Sequence, residues 1–127
     1  MLGDHGQAEH AGVEGLRDRV VAEHYRAERR SWKLDLALPD GSQLELFSFP
    51  EAPVRPSRPE ARGLRHLAFA VDDVEAWRAR LIAAGVDVEP VRVDPYTGRR
   101  FTFFADPDDL PLELYEVPPT VGASDGD

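Results

Sequence analysis

The sequence contains no cysteine in 127 residues. This absence excludes disulfide frameworks, thiolate catalysis and cysteine-ligated zinc sites. The chain also has no apolar run that approaches the roughly 20 residues needed to span a bilayer. Its first residues are polar and partly acidic, unlike a signal peptide. Together these features predict a soluble cytoplasmic protein without a membrane partner.

Basic residues are scarce relative to acidic ones. Fifteen Lys and Arg oppose 24 Asp and Glu, which gives a net charge of -9. Because nucleic-acid binding needs clustered positive charge, this balance argues against a nucleic-acid partner and indicates solubility instead. The phosphate-binding loop, the dinucleotide-binding glycine motif and the nucleophile elbow are also missing. What remains is 42% apolar residues, enough for the core of one domain spanning residues 1–127.

The chain repeats part of itself at an offset of 68 residues. Pro39-Asp40 falls on Pro107-Asp108, and Leu44–Phe47 falls on Leu112–Tyr115. Two Leu-Glu-Leu-aromatic strands, each shortly after a Pro-Asp turn, indicate a duplicated module. The same shift carries His66 to a position before the first residue. A metal site built symmetrically from both modules would therefore have three of its four protein ligands in this sequence.

The first module, residues 1–49, is predicted to be incomplete. A short helix near residues 8–16 is interrupted by glycines. Val20–Tyr25 is expected to form a strand, and alternating apolar residues predict another at Trp32–Leu38. A Pro-Asp-Gly turn then leads to a strand at Leu44–Phe49. These strands would form an antiparallel meander that lacks an opening strand and a regular helix.

Residues 50–63 contain four prolines and predict a semi-rigid linker. Residues 64–117 predict a β-α-β-β-β module whose helix is capped by Asp72 or Asp73 and stopped by Gly85. Its elements are expected at Leu64–Val71, Val74–Ala84, Val86–Val93, Arg100–Ala105 and Pro111–Val117. Residues 118–127 are predicted to be disordered. The predicted fold class is α+β, with two β-α-β-β-β modules of which the first is incomplete.

Two carboxylates and one imidazole are the candidate metal ligands. Glu45 and Glu113 occupy equivalent positions of the repeat, each between two leucines of a strand. His66 is predicted to share a strand face with two alanines, which leave space around its ring. Taken singly, a strand Glu is usually solvent-facing and a strand His is usually a hydrogen-bonded core residue. Their combination is a ligand set suited to zinc, nickel, iron or manganese.

The other histidines are weaker candidates. His24 lies in a polar run and is expected to be exposed at the end of a strand. His5 and His10 lie in the glycine-interrupted head and are expected to be solvated. Either of these two remains an alternative for a fourth ligand, as does water or a strand upstream.

Three segments resemble the glyoxalase I-like branch of the vicinal oxygen chelate superfamily, which includes glyoxalase I, bleomycin resistance proteins and dioxygenases. They read LELFSFP at residues 44–50, RPSRPEA and GLRHLAF within residues 55–69, and TGRRFTFFADPDDLPLELYE at residues 97–116. The resemblance covers roughly residues 20–117. It implies paired modules whose sheets curl into a cup around one divalent metal ion held by His, Glu, His and Glu. Glu45, His66 and Glu113 match the second, third and fourth of these ligands.

The resemblance also implies an activity. A glyoxalase I-like lyase or isomerase would act on a small oxygenated or thiol-conjugated metabolite through a metal-bound enediolate, with Glu45 or Glu113 as the catalytic base. The alternatives are a non-catalytic protein that binds a small molecule, or a protein that is inactive because the strand carrying the first metal ligand is absent. An uncovered sheet edge would favour a homodimer.

Overall fold

The computed structural model of the protein describes residues 19–118. The helix expected near residues 8–16 lies outside this range, as do His5, His10 and, apart from Pro118, the tail expected at residues 118–127. Within it, the chain forms two sheets and one α-helix. This is the predicted α+β class.

The first sheet is a three-stranded antiparallel meander. It consists of β1 (Arg19–Arg26), β2 (Ser31–Ala37) and β3 (Gln43–Phe47), in the order β1-β2-β3. A single 3₁₀ turn, Ala27–Arg29, connects β1 to β2. Strand alternation buries Leu34 and Leu36 against Leu44 and Leu46, as the sequence predicted. The odd-numbered side chains of β2 and β3 lie on the opposite face of the sheet, which is open.

The second sheet carries the α-helix. It contains β4 (Leu67–Val71), β5 (Arg92–Val93), β6 (Arg100–Ala105) and β7 (Pro111–Glu116) in the order β4-β7-β6-β5. The helix α1 (Val74–Ala83) follows β4, which pairs with β7 in parallel. Val74, Leu81 and Leu114, each 0% exposed, form the centre of the core between helix and sheet.

The duplication predicted from the sequence is preserved in the strand register. Asp35 pairs with Glu45 in the first sheet, and Phe103 pairs with Glu113 in the second. All five residue pairs of the β2–β3 ladder map onto the five pairs of the β6–β7 ladder at the same 68-residue offset. His24↔Lys33 likewise maps onto Arg92↔Phe101. The two modules therefore place equivalent side chains on equivalent faces.

The helix begins and ends at the predicted residues to within one position. Asp73 is its N-cap, since Asp73 Oδ1 accepts a hydrogen bond from the Ala76 backbone N–H at 3.1 Å. Gly85 lies at φ +90°, a left-handed conformation that an L side chain adopts only with strain, and it stops the helix.

Two predicted strands are shorter than expected by at least three residues. The strand predicted at Leu64–Val71 begins at Leu67, because Arg55 donates to the carbonyl oxygens of Leu64 and Arg65 that a ladder would otherwise use. The strand predicted at Val86–Val93 is reduced to a bridge at Val88 and the two residues of β5. Pro90 lies between them and has no N–H to donate to a ladder.

The proline-rich segment between the modules is tied to the second module. Ser57 is 2% exposed, and its hydroxyl donates to the Asp109 carbonyl at 2.6 Å. Arg65 donates to the carbonyl oxygens of Ser57 and Ala61, both at 2.8 Å. These bonds fix the segment directly before His66.

A groove of about 540 Å³ lies between the two sheets. It is lined by Leu38–Leu44, around the turn from β2 to β3, and by Leu67–Asp72, which includes all of β4. Both β3 and β4 are edge strands in the described part of the chain. None of the described helices is long and apolar enough to cross a membrane.

Candidate functional site

His66 and Glu113 come together at the beginning of β4. Glu113 lies on β7, and its Cα partner on β4 is Ala68, two residues after His66. This parallel pairing places His66 Nε2 3.0 Å from Glu113 Oε1. The carboxylate is largely shielded, with 13% of its side chain exposed, whereas the imidazole is 42% exposed. The pair is therefore fixed on one side and accessible on the other.

Aromatic side chains form a wall beside this pair. The Phe103 ring meets the His66 ring edge-on, with centroids 5.1 Å apart. Phe101 contacts Phe103 at 6.1 Å and stacks on Tyr115 at 6.3 Å. The Arg92 guanidinium lies over Phe101, 4.9 Å from the ring centroid. Because these residues alternate along β6 and β7, they share the open face with Glu113.

The hydroxyl of Tyr115 links the aromatic wall to the β5–β6 hairpin. The hydroxyl donates to Asp94 Oδ2 at 2.7 Å and also contacts the Thr97 hydroxyl. The Tyr96 backbone N–H and the Tyr115 hydroxyl together lower the pKa of Asp94 below its usual value. The β5–β6 hairpin is thereby held against the aromatic wall.

A cavity of about 680 Å³ opens next to His66. His66 and Phe103 line it together with charged residues of the proline-rich segment and of the stretch before β5. This volume lies within the range typical of small-molecule sites. The imidazole of His66 can thus be reached by a small ligand, whereas Glu113 is not part of the cavity lining.

Glu45 lies on the other sheet and is not brought to the pair. It is opposite Asp35, its side chain is 56% exposed, and its nearest cation is Lys33 at 3.9 Å. Within residues 19–118, no three His, Asp or Glu side chains lie close enough together to hold a metal ion. His24 is exposed on β1, as expected from the sequence.

Sequence reasoning missed the aromatic wall around the pair. Alternation relates Phe101 to Phe103 within β6, but it is the β6–β7 register that places both rings on the face of Glu113 and Tyr115. Arg92 gave no signal of its own beyond its repeat equivalence to His24. The contact of its guanidinium with Phe101 and Phe103 depends on the hairpin geometry.

The His66–Glu113 geometry fits two neighbouring coordination positions of one divalent ion. Ligands bound about 2.1 Å from an ion and about 90° apart, as in an octahedral site, lie about 3.0 Å from each other, which is also the length of a direct hydrogen bond. The observed separation of Nε2 and Oε1 is 3.0 Å, and an imidazole with a carboxylate is a common donor set. As a metal site, the pair would supply two protein ligands, and further ligands would have to come from elsewhere.

Comparison with known proteins identifies the family. A family model of the Glyoxalase/Bleomycin resistance protein/Dioxygenase superfamily matches residues 14–114. The uncharacterized protein YaeR of Escherichia coli is 64% identical over 97 residues, which cover 76% of this chain and 75% of YaeR. A glyoxalase family protein from Enterococcus faecalis shares 50% identity and a TM-score of 0.78 over 87% of each chain. The protein therefore belongs to this superfamily, and its fold is glyoxalase-like.

A more distant structure shares the fold alone. The fosfomycin resistance protein FosX of Listeria monocytogenes, solved as a complex with Mn(II) and sulfate, is 18% identical with a TM-score of 0.61. The alignment covers 87% of this chain and 81% of FosX.

Proposed function

We propose that the protein is a metal-dependent, glyoxalase I-like lyase or isomerase acting on a small oxygenated or thiol-conjugated metabolite. The observation that carries this proposal is the 3.0 Å contact between His66 and Glu113, two residues that the family resemblance assigns to the metal. The adjoining cavity and aromatic wall provide room and apolar surface for the substrate.

The ion would be held by Glu45, His66 and Glu113, and Zn, Ni, Fe and Mn all suit this donor set. When bound, a divalent ion supplies Lewis-acid stabilisation of the negative charge that develops on a substrate oxygen. The superfamily relationship and the Mn(II) in FosX support a divalent ion of this kind.

The two carboxylates would have different roles. Glu113 is shielded and paired with His66, which makes it a positioned ligand. Glu45 is 56% exposed and Lys33 lies 3.9 Å from its carboxylate, which would be accessible to accept a proton from a carbon next to a carbonyl. We therefore favour Glu45 as the base.

The separation of Glu45 from the pair is accounted for by a homodimer. Glu45 lies on the open face of one sheet, and the pair lies on the open face of the other. In the proposed dimer, Glu45 of one protomer completes the site around His66 and Glu113 of its partner. Each dimer would then contain two sites related by twofold symmetry.

The first experiment measures metal in the purified protein by elemental analysis. We expect about one divalent ion per chain, lost in His66→Ala and in Glu113→Gln. His24→Ala is the matched control, because it removes an exposed strand histidine and should retain the ion. A wild-type protein free of metal after purification and after dialysis against each candidate ion would refute the proposal.

Mixing two defective variants tests the shared site. If Glu45 and His66 of one site come from different protomers, unfolding and reassembling Glu45→Gln with His66→Ala restores roughly one intact site in four. If both residues act within one chain, the mixture contains no intact site. A mixture that binds no more metal than the separate variants would therefore exclude the dimeric arrangement.

A non-catalytic binding protein is the second candidate. It is favoured by the finding that only two candidate ligands meet in residues 19–118. This alternative predicts unchanged folding and small-molecule binding after chelation. The metalloenzyme predicts loss of substrate turnover that returns when the ion is added back.

A further inference from the structure

Two arginines converge on the aromatic residues at the end of β3. The Arg26 guanidinium lies 4.8 Å from the Phe47 ring centroid and 5.8 Å from that of Phe49. Arg29 lies on the same Phe49 ring, at 5.2 Å. We call Arg26, Arg29, Phe47 and Phe49 the arginine cluster. The positively charged guanidinium groups of Arg26 and Arg29 thus both contact the Phe49 ring.

Within residues 19–118, the two arginines of the cluster have no ion-paired carboxylate. Neither Arg26 nor Arg29 forms an ion pair with an acidic residue of the described chain, although the whole protein carries a net charge of -9. Lys33 does not add to this charge, because Asp35 Oδ1 lies 2.7 Å and Glu45 Oε2 3.9 Å from its Nζ. Unneutralised cations held together repel one another, and a bound anion relieves this repulsion.

The position of Arg26 is fixed before any ligand arrives. Its Nη2 donates to the hydroxyl of Ser31 at 3.0 Å, and Ser31 is 0% exposed. Its Nε is buried without an acceptor in the described chain, as is the Nε of Arg65, so the Nη groups of Arg26 are the ones that would reach a ligand. Arg29 is exposed on the 3₁₀ turn, so the pair combines one anchored and one accessible guanidinium.

The cluster adjoins the proposed base. Phe47 lies two residues after Glu45 on β3, so the two side chains share a face about 7 Å apart. Lys33, opposite Phe47 in the ladder, lies 3.9 Å from Glu45. Phe47 remains 37% exposed and offers apolar contact to a ligand body that spans this distance.

We propose that Arg26 and Arg29 bind the oxyanion, a carboxylate or a phosphate-type group, of the small molecule that reaches Glu45. The planar fork of a guanidinium matches both oxyanions, and the donors here would be the exposed Arg29 and the Nη groups of Arg26. The substrate class is therefore a small organic anion whose charged group lies about 7 Å or more from its reacting end. This assignment of substrate class rests on the proposed function, but the anion site itself does not require the metal.

The test uses the full chain and two probes, inorganic phosphate and succinate, each titrated at constant ionic strength and followed by ¹H–¹⁵N NMR. We expect saturable shifts of the Arg29 Nε–H signal and of the amides of the 3₁₀ turn. Phosphate alone, or succinate alone, would identify which oxyanion the site takes. Shifts without saturation, or shifts centred elsewhere, would overturn the proposal.

Three variants separate specific binding from bulk charge. Arg29→Ala should weaken binding of the probe about tenfold, the loss of one charge-assisted contact. Arg62→Ala removes the same charge from an exposed position and should change the affinity less than about twofold. Arg26→Lys keeps the charge but not the fork, and should also weaken binding. Equal effects of Arg29→Ala and Arg62→Ala would refute the site.

Metal content, measured in the same samples, distinguishes the two proposals. If the ion binds while Arg29→Ala behaves like Arg62→Ala, only the anion site fails. If the protein holds no metal but binds the probe through Arg29, the proposed enzyme function fails and the anion site stands.

Discussion

Arg100 donates from Nε and Nη2 to the two carboxylate oxygens of Glu116, at 3.0 and 2.7 Å. Glu116 Oε2 also accepts from the backbone N–H of Val74, at 3.0 Å. One carboxylate thereby joins β6, β7 and the first residue of α1. Because Val74 is fully buried, this connection fixes the helix on the sheet whose other face carries His66 and Glu113.

Glu116 should make stability depend on pH. The Arg100 guanidinium, and then the Val74 N–H, lower the pKa of Glu116 below its ordinary value of 4.5. A lowered folded-state pKa stabilises the protein above the ordinary value, and this contribution is lost as pH falls through the folded-state pKa. Urea unfolding between pH 7 and pH 3 should show that the free energy of unfolding of Glu116→Gln falls less steeply with decreasing pH than that of the wild type. Glu60→Gln, at an exposed position, should retain the wild-type slope.

Leu114→Ala should destabilise the protein by about 3 kcal/mol. Leu114 is 0% exposed and packs in the core cluster with Leu81 and Phe104, so the truncation leaves a cavity. Chemical denaturation measures the change. Leu64→Ala removes the same atoms from a residue that is 62% exposed, and should cost less than about 0.5 kcal/mol. Equal effects of the two substitutions would contradict the described core.

Asp73→Ala should cost about 1 kcal/mol, because it removes the acceptor for the Ala76 N–H at the start of α1. Asp73→Ser retains a side-chain oxygen at the cap and should recover most of the loss. Asp72→Ala, one residue earlier, is the control and should be near neutral. Thermal unfolding would distinguish the three variants. A larger effect of Asp72→Ala than of Asp73→Ala would show that Asp72 is the capping residue.

Removal of the proposed metal should lower the melting temperature. An ion present at 100 times its dissociation constant stabilises the folded state by about 2.7 kcal/mol, which corresponds to roughly 10 °C in a domain of this size. Calorimetry with and without chelator measures the shift. His66→Ala should be insensitive to chelator, because it lacks a ligand. A chelator effect of the same size in both proteins would show that the stabilising ion binds elsewhere.

Much of the fold follows from local patterns in the sequence. The alternation around Trp32 and Leu36 predicted β2, and the interval Arg100–Ala105 predicted for β6 is the observed one. The Asp73 cap and the Gly85 stop bounded the helix. These signals succeed because each is a property of neighbouring residues.

Tertiary contacts decided the rest. Leu64 and Arg65 have an apolar and alternating sequence context, yet Arg55 takes their carbonyl oxygens and keeps them out of β4. The repeat likewise assigned Glu45 and Glu113 to equivalent faces, which the register confirms. The repeat contains no information on the distance between the two faces. Convergence of Glu45 with His66 therefore remains a prediction for the proposed homodimer.

The parallel pairing of β4 with β7 also bears on synthesis of the chain. Val71 and Pro111 are separated by about 40 residues, so β4 leaves the ribosome well before its only partner strand in the described structure. At about 5–20 residues per second, translation leaves β4 unpaired for roughly 2–8 s. During this interval the nascent second module has a hydrogen-bonding edge open to other chains, and its folding is completed only by the last strand.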